Sequence, residues 1–278
     1  MVFNSSLITT QELATALNDK SIVLLDCTID KVGQSLRDEP LELIPNSLFF
    51  DIEEKLSDKS SKLPHTLVSA EIFEQEMQTL GINQNSTVVL YDRWGIYSSP
   101  RAWWMFKVMG FDNVHVLNGG LPAWKEKGFP LTERYNEPIE KGNFKAKFNV
   151  SWYANIEYIL KNYQKDFIQI FDARSKARFT GVVPEPRQGL KSGHIPYSYN
   201  IPFDELLDGE FYGDKEKIAR FFKHIRPEAE EYIFSCGSGI TASILAFASH
   251  LIGYEKIRVY DGSWSEWGSE ELNLPTAK

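Results

Sequence analysis

Short runs of β-branched and apolar residues alternate along this chain with longer stretches of helical spacing. Ile22–Leu25, Val88–Tyr91 and Val114–Leu117 have the length and composition of buried strands. Thr10–Leu17 and Ser69–Leu80 carry apolar residues three and four apart behind a Thr or Ser, which predicts capped helices. The second half repeats the order, with strands expected at Ile168–Phe171, Tyr232–Ser235 and Ile257–Tyr260 and an apolar helix from Ala242 to Leu251. Strand alternating with helix argues for a mainly parallel sheet with helices on both faces, an α/β fold.

The alternation reflects a duplication. The segment Gly110–Trp124 (GFDNVHVLNGGLPAW) matches Gly253–Trp267 (GYEKIRVYDGSWSEW). Upstream, Thr87–Asp92 aligns with Glu231–Cys236, Val23–Asp26 with Gln169–Asp172, and Ile44–Ser47 with Ile195–Ser198. The order of these pairs is kept throughout. Two tandem copies are therefore expected at residues 1–133 and 152–278, joined by a linker at 134–151 that is rich in charge, Asn, Gly and Pro. A length of 278 residues suits two domains.

Composition narrows the function. Hydrophobic residues at 42% and charged residues at 24% are ordinary for a packed globular chain. The 38 acidic against 30 basic residues leave a net charge of −8, which argues against a general grip on nucleic acid. Only Cys27 and Cys236 occur, one per half, so neither a disulfide framework nor a CxxC metal site can form. The chain's start lacks the basic-then-apolar order of a signal peptide. Its richest apolar stretch, Ala242–Ile252, is interrupted by Ser243, Ser249 and His250 and is shorter than the roughly 20 residues a membrane span needs. A cytoplasmic protein that does not engage membranes is expected.

Candidate chemistry converges on Cys236. In a doubly wound sheet ligands bind beyond the carboxyl ends of the strands. Cys236 stands at such an end, opening the loop Cys236-Gly-Ser-Gly-Ile-Thr241 before the apolar helix. Gly237 and Gly239 let the backbone curl so that N–H groups point at one centre, and the helix N-terminus adds partial positive charge. Such a cradle favours a thiolate. A cysteine phosphatase would need Cys-x5-Arg to close on a phosphate dianion, but the sixth residue after the cysteine is Ala242.

The duplicated pattern and the loop Cys236-Gly-Ser-Gly-Ile-Thr-Ala242 resemble the tandem rhodanese-domain sulfurtransferases, and among them the 3-mercaptopyruvate sulfurtransferases. The likeness covers nearly the whole chain. It implies two rhodanese-like domains, the second catalytic, and transfer of sulfane sulfur through a persulfide on Cys236. Thiosulfate-specific members typically carry Arg and Lys after the cysteine. Here those positions are Gly237 and Ser238, which points to mercaptopyruvate. In the first copy Asp92 stands opposite Cys236, so that domain is read as non-catalytic.

The resemblance also assigns the surrounding groups. Arg178 and Arg187 fall on the family's two substrate arginines, suited to a carboxylate by their planar donors. Gly237, Gly239, Ile240 and Thr241 line the substrate side of the loop, and Ser238 offers a hydroxyl. A Ser-His-Asp relay is implied at Ser238, His65 and Glu53, with Glu in place of Asp and one residue more before the histidine. Asp51 is the alternative orienting acid. Asp172 and Arg174 are expected to form a structural ion pair, His194 a structural hydrogen bond, and Cys27, Trp103 and Trp104 to be packing residues. No metal or organic cofactor is implied. The expected partners are a small-molecule sulfur donor and a thiol acceptor, with thioredoxin a candidate, or cyanide. Thiosulfate as donor and a non-catalytic persulfide carrier are the alternative functions.

Overall fold

The computed structural model describes residues 3–138, 140–223 and 228–278, and these divide into two compact units. The first comprises residues up to Ser57, Val68–Phe148 and Gly209–Tyr212. The second comprises Asp58–Leu67, Asn149–Asp208 and Gly213–Lys278.

In the first unit the chain runs β1 (Leu7–Ile8), α1 (Thr10–Ala16), β2 (Ile22–Asp26), β3 (Leu48–Phe49), α2 (Ala70–Thr79), β4 (Thr87–Tyr91), α3 (Ser99–Val108), β5 (Val114–Leu117) and α4 (Gly120–Glu126). The sheet order is β1-β5-β4-β2-β3, with every neighbouring pair parallel. Residues of β4 are buried throughout, as a strand covered on both faces requires. Thr9 closes the start of α1 with a capping box to Glu12, and Ser69 caps α2. Helix α3 buries every residue except Lys107, with Trp103 and Trp104 wholly enclosed, and Cys27 is a buried core residue.

The second unit contains β6 (Tyr153–Ala154), α5 (Ile156–Asn162), β7 (Ile168–Asp172), α6 (Lys176–Phe179), β8 (Tyr199–Asn200), β9 (Leu207–Asp208), α7 (Lys215–Phe221), β11 (Glu231–Ser235), α8 (Ile240–Leu251), β12 (Ile257–Tyr260) and α9 (Ser263–Trp267); the short β10 (Phe211–Tyr212) belongs to the first. Its sheet order, β6-β12-β11-β7-β8, is that of the first unit strand for strand, again all parallel. Two equal topologies on matching sequence segments are what a duplication leaves. Among the described residues no helix is long and apolar enough to cross a membrane.

The units do not follow a single cut in sequence. The first extends past residue 133 because Phe144 is fully buried among Phe73, Phe106 and Phe111, and Gly142, Phe144 and Lys147 donate backbone bonds to Gln78, Ile82 and Met109. Conversely, Asp58–Leu67 clusters with the second unit. Helix α8 also starts earlier than its apolar run suggests, at Ile240, since Gly239 with φ 82° is its N-cap.

Divergence between the copies is sharpest at one strand end. Asp172 closes β7 beside Arg174, whereas its counterpart Asp26 is buried with Thr28 and Tyr135 as hydrogen-bond donors. Burial pushes the Asp26 pKa up, with the nearby Asp92 adding to the shift and the Thr28 and Tyr135 bonds opposing it. Such a raised folded-state pKa gives a stabilisation that is complete below the unfolded value and is lost as pH rises through the folded one. Asp26→Asn, close to the acid form in shape, should therefore exceed the parent in stability near pH 7, by on the order of 1 kcal/mol. The gain should vanish as the medium is acidified below the ordinary carboxylate range of about 4. Urea unfolding at both pH values checks this; a variant weaker than the parent near neutrality would mean that the carboxylate is ionised and well paired.

Candidate active site

The end of β11 delivers Cys236, a residue 2% exposed, to the start of α8. The Gly239 N–H donates to Cys236 Sγ at 3.1 Å, which brings partial positive charge to the sulfur. No side chain caps α8, so the helix N-terminus faces the loop with its own dipole. Ser263 supports the cysteine from the neighbouring turn: its hydroxyl accepts from Cys236 N at 3.1 Å and donates to Tyr260 O at 2.8 Å. Trp264 N and Ser265 N donate to the carbonyls of Cys236 and Gly237, and Ser265 Oγ also donates to Gly237 O at 2.6 Å. Cys236 and Gly237, which open the loop, are thus bonded to the first turn of α9.

Ser238, 8% exposed, meets His65 with an Oγ···Nδ1 distance of 3.1 Å. His65 belongs to the second unit through a closed loop. Asp58 N donates to Thr66 O at 2.8 Å, Thr66 Oγ1 to Ser61 Oγ at 2.8 Å, and Leu67 N to the buried Asp261 carboxylate at 2.8 Å. The histidine has φ 58°, a left-handed conformation that a non-glycine residue adopts at a cost and that recurs at functional positions.

Two arginines reach the loop from the segment after β7. A Cβ built on Gly237 would lie 3.2 Å from Arg178 Nη2 and 3.9 Å from Arg187 Nη1, so both guanidiniums sit over this glycine. Arg178 donates to Glu185 through Nε at 3.1 Å and Nη2 at 2.5 Å, while Arg187 Nη1 donates to Ser265 Oγ at 3.4 Å. Arg174 forms the expected ion pair with Asp172, Nη2 to Oδ2 at 2.6 Å, and continues to Glu185 Oε1 at 2.9 Å and Gly193 O at 2.8 Å. His194 is structural: its Nδ1 lies 2.8 Å from Phe179 O and its ring stacks on Phe179 at 3.7 Å.

The structure thus brings Cys236, Gly237, Ser238, Gly239, His65, Arg178 and Arg187 into one cluster of the second unit. Ile240, 3% exposed, and the half-buried Thr241 form the first turn of α8 and lie in the helix, not in the loop. Glu53 and Asp51 belong to the first unit. Glu53 lines a cavity of about 210 Å³ there with Thr28, Asp30, Arg37, Arg93 and Tyr135, and burial raises its pKa, aided by Asp30. Ser263, Ser265 and Glu185 carry supporting bonds that sequence reasoning missed. One signal for Ser263 was available: the repeat pairs it with Gly120, and both hold positive φ, 49° and 51°.

The first unit shows what the same cradle becomes without a thiol. Asp92 Oδ2 accepts N–H groups of Tyr97, Ser98 and Ser99 at 2.9–3.0 Å and the Ser99 hydroxyl at 2.8 Å, and Oδ1 accepts Trp94 N at 3.1 Å. A tethered carboxylate occupies the anion position at the start of α3.

Comparison with known proteins agrees with this geometry. The rhodanese-like domain family matches residues 9–127 and 155–270. The chain belongs to the rhodanese-like family. A 3-mercaptopyruvate sulfurtransferase of Escherichia coli (strain K12) is 38% identical over 95% of this chain and 94% of its own length. The Arabidopsis thaliana protein named thiosulfate/3-mercaptopyruvate sulfurtransferase 1, mitochondrial, is 35% identical over 91% of this chain and 73% of its own. A crystal structure described as that of an Escherichia coli 3-mercaptopyruvate sulfotransferase superposes with a TM-score of 0.83 at 34% identity, covering 95% of this chain and all of the other.

The Gly239 contact is open to direct test in this rhodanese-like unit. Gly239→Ala puts a Cβ where φ is 82°, which costs roughly 1–2 kcal/mol. It should also draw the N–H away from Sγ. Iodoacetamide labelling of Cys236, read by mass spectrometry at one fixed pH, should slow several-fold in the folded variant; an unchanged rate would show that this N–H does not tune the sulfur.

Proposed function

We infer that this chain is a 3-mercaptopyruvate sulfurtransferase, acting through a persulfide on Cys236. The observation that carries the reading is the single cluster in which a cysteine with an N–H on its sulfur lies beneath two guanidiniums that meet over Gly237. The Cys236 thiolate attacks the donor sulfur, the carbon–sulfur bond breaks, and its electron pair leaves on the enolate of pyruvate. One proton then converts the enolate to pyruvate, and the sulfur stays on the cysteine as a persulfide. Arg178 and Arg187 bind the donor carboxylate in fork geometry. Ser238, with His65 behind it, supplies the hydrogen bond and the proton path to the developing oxyanion. A thiol acceptor, with thioredoxin a candidate, or cyanide then removes the sulfur. Two free cysteines fit a reducing cytoplasm.

Thiosulfate as the donor is a second reading, favoured by the name of the Arabidopsis relative. Against it, Gly237 and Ser238 place no cation directly after the nucleophile, where a dianion would gain most.

Incubation with 3-mercaptopyruvate and no acceptor should add one sulfur to Cys236 and release an equal amount of pyruvate. Intact mass, peptide mapping and a pyruvate assay read this together. Cys236→Ser should do neither. Sulfur mapped to Cys27, or pyruvate release by Cys236→Ser, would overturn the assignment, and a several-hundred-fold preference for thiosulfate would move it to the second reading.

A further inference from the structure

Glu185 carries a side chain that is 1% exposed although the segment around it, Val182–Pro184 and Pro186–Gly189, lies at the surface. A carboxylate so enclosed needs bonded partners. It has three: Arg174 Nη1 at 2.9 Å, Arg178 Nε at 3.1 Å and Arg178 Nη2 at 2.5 Å. Arg174 is already matched by Asp172 on its other edge, through Nε at 3.0 Å and Nη2 at 2.6 Å. The negative charge of Glu185 therefore falls to Arg178, and the same fork fixes which edge of that guanidinium faces Gly237. Pro184 and Pro186 restrain the backbone on either side, so the carboxylate is held in place before any donor arrives.

We propose that Glu185 is a positioning and specificity-determining residue, which orients Arg178 over Gly237 and cancels one guanidinium charge there so that the cleft favours a monoanionic donor over a dianionic one. The proposal rests on the sulfurtransferase reading above. Asp172, Arg174, Glu185 and Arg178 make an unbroken run whose two carboxylates and two guanidiniums cancel, so Arg187, bonded among the described residues only to the Ser265 hydroxyl and 3.9 Å from a Cβ built on Gly237, leaves one net positive charge beside the loop. That charge matches the single carboxylate of mercaptopyruvate. Removing the Glu185 charge raises the local potential, and a dianion gains about twice as much from it as a monoanion.

The test compares Glu185→Gln, which keeps an acceptor oxygen but loses the charge, with Glu185→Asp, which keeps the charge on a shorter arm. For each, kcat/KM is measured for 3-mercaptopyruvate and for thiosulfate with cyanide as acceptor. In Glu185→Gln the ratio of thiosulfate to mercaptopyruvate should rise about tenfold, with any loss on mercaptopyruvate carried by KM and not by kcat. In Glu185→Asp the ratio should stay within about threefold of the parent. Each ratio comes from one preparation, so a partly unfolded fraction cancels, and a purely structural role would lower both donors alike. A Glu185→Gln ratio within about twofold of the parent, or an Asp variant shifted as far as the Gln variant, overturns the proposal. Should Glu185→Gln give no folded protein, the Asp ratio decides alone: unchanged it supports the charge role, shifted it overturns it. Failure of the underlying reading shows separately, as a parent enzyme that releases no pyruvate from mercaptopyruvate.

Discussion

The Arg174 guanidinium, 1% exposed, is the interaction on which the second unit's site depends. An isolated buried cation would be prohibitively costly, so its surroundings have to supply acceptors on every edge. They do so from separate parts of the chain: Asp172 at the end of β7, Glu185 in the proline-flanked segment, Gly193 O in the turn beyond it, and the face of Trp264 at 4.3 Å. Two of these partners also touch the chemistry. Glu185 holds Arg178, and Trp264 N bonds the carbonyl of Cys236. Breaking such a cluster at one member leaves an uncompensated charge, which costs several kcal/mol, so the arrangement is held as a unit. The site is therefore assembled before a donor enters.

The two copies show what happens when that cation is absent. In the first unit Thr28 stands at the Arg174 position, Asp26 turns to Tyr135 for a donor, and its carboxyl is pushed toward the neutral form by burial. The loop after β4 has gone a matching way, with Asp92 spending its oxygens on the N–H groups before α3. Neither change disturbs the sheet, whose strand order and parallel pairing are the same in both units. Topology depends on the apolar strands and helices, and the chemistry depends on a few polar residues at the strand ends.

Much of this was legible in the sequence because the signals were local. Central strands are marked by β-branched runs, and the duplication by matching segments in the same order, so the parallel α/β units follow from pattern alone. The edge strands Leu7–Ile8, Leu48–Phe49, Tyr153–Ala154 and Tyr199–Asn200 are two residues long and carry no such signal. At the site, Cys236, Ser238, Arg178 and Arg187 were found through a motif. Glu185 carries no such signal: a charged residue between prolines reads as an exposed loop, and its burial is tolerable only through the bonds it accepts from Arg178 and Arg174. The allegiance of residues 58–67 was equally hidden: it rests on Leu67 N and Asp261 and on His65 and Ser238, pairs far apart in sequence.

Asp92 and Cys236 carry the comparison one step further. Backbone N–H groups before a helix attract an anion whichever atom bears the charge. A carboxylate reaches several of them at once, satisfies them permanently and leaves no room for an incoming anion. A cysteine reaches only the Gly239 N–H, because its single sulfur sits close to the backbone. The space above Gly237 is bordered by Arg178 and Arg187. Two requirements then coincide in one residue: the nucleophile has to be charged, and it has to leave most of the cradle to its substrate. Among side chains with an ionisable nucleophile, a short thiol meets both, and the aspartate in the first copy meets only the first.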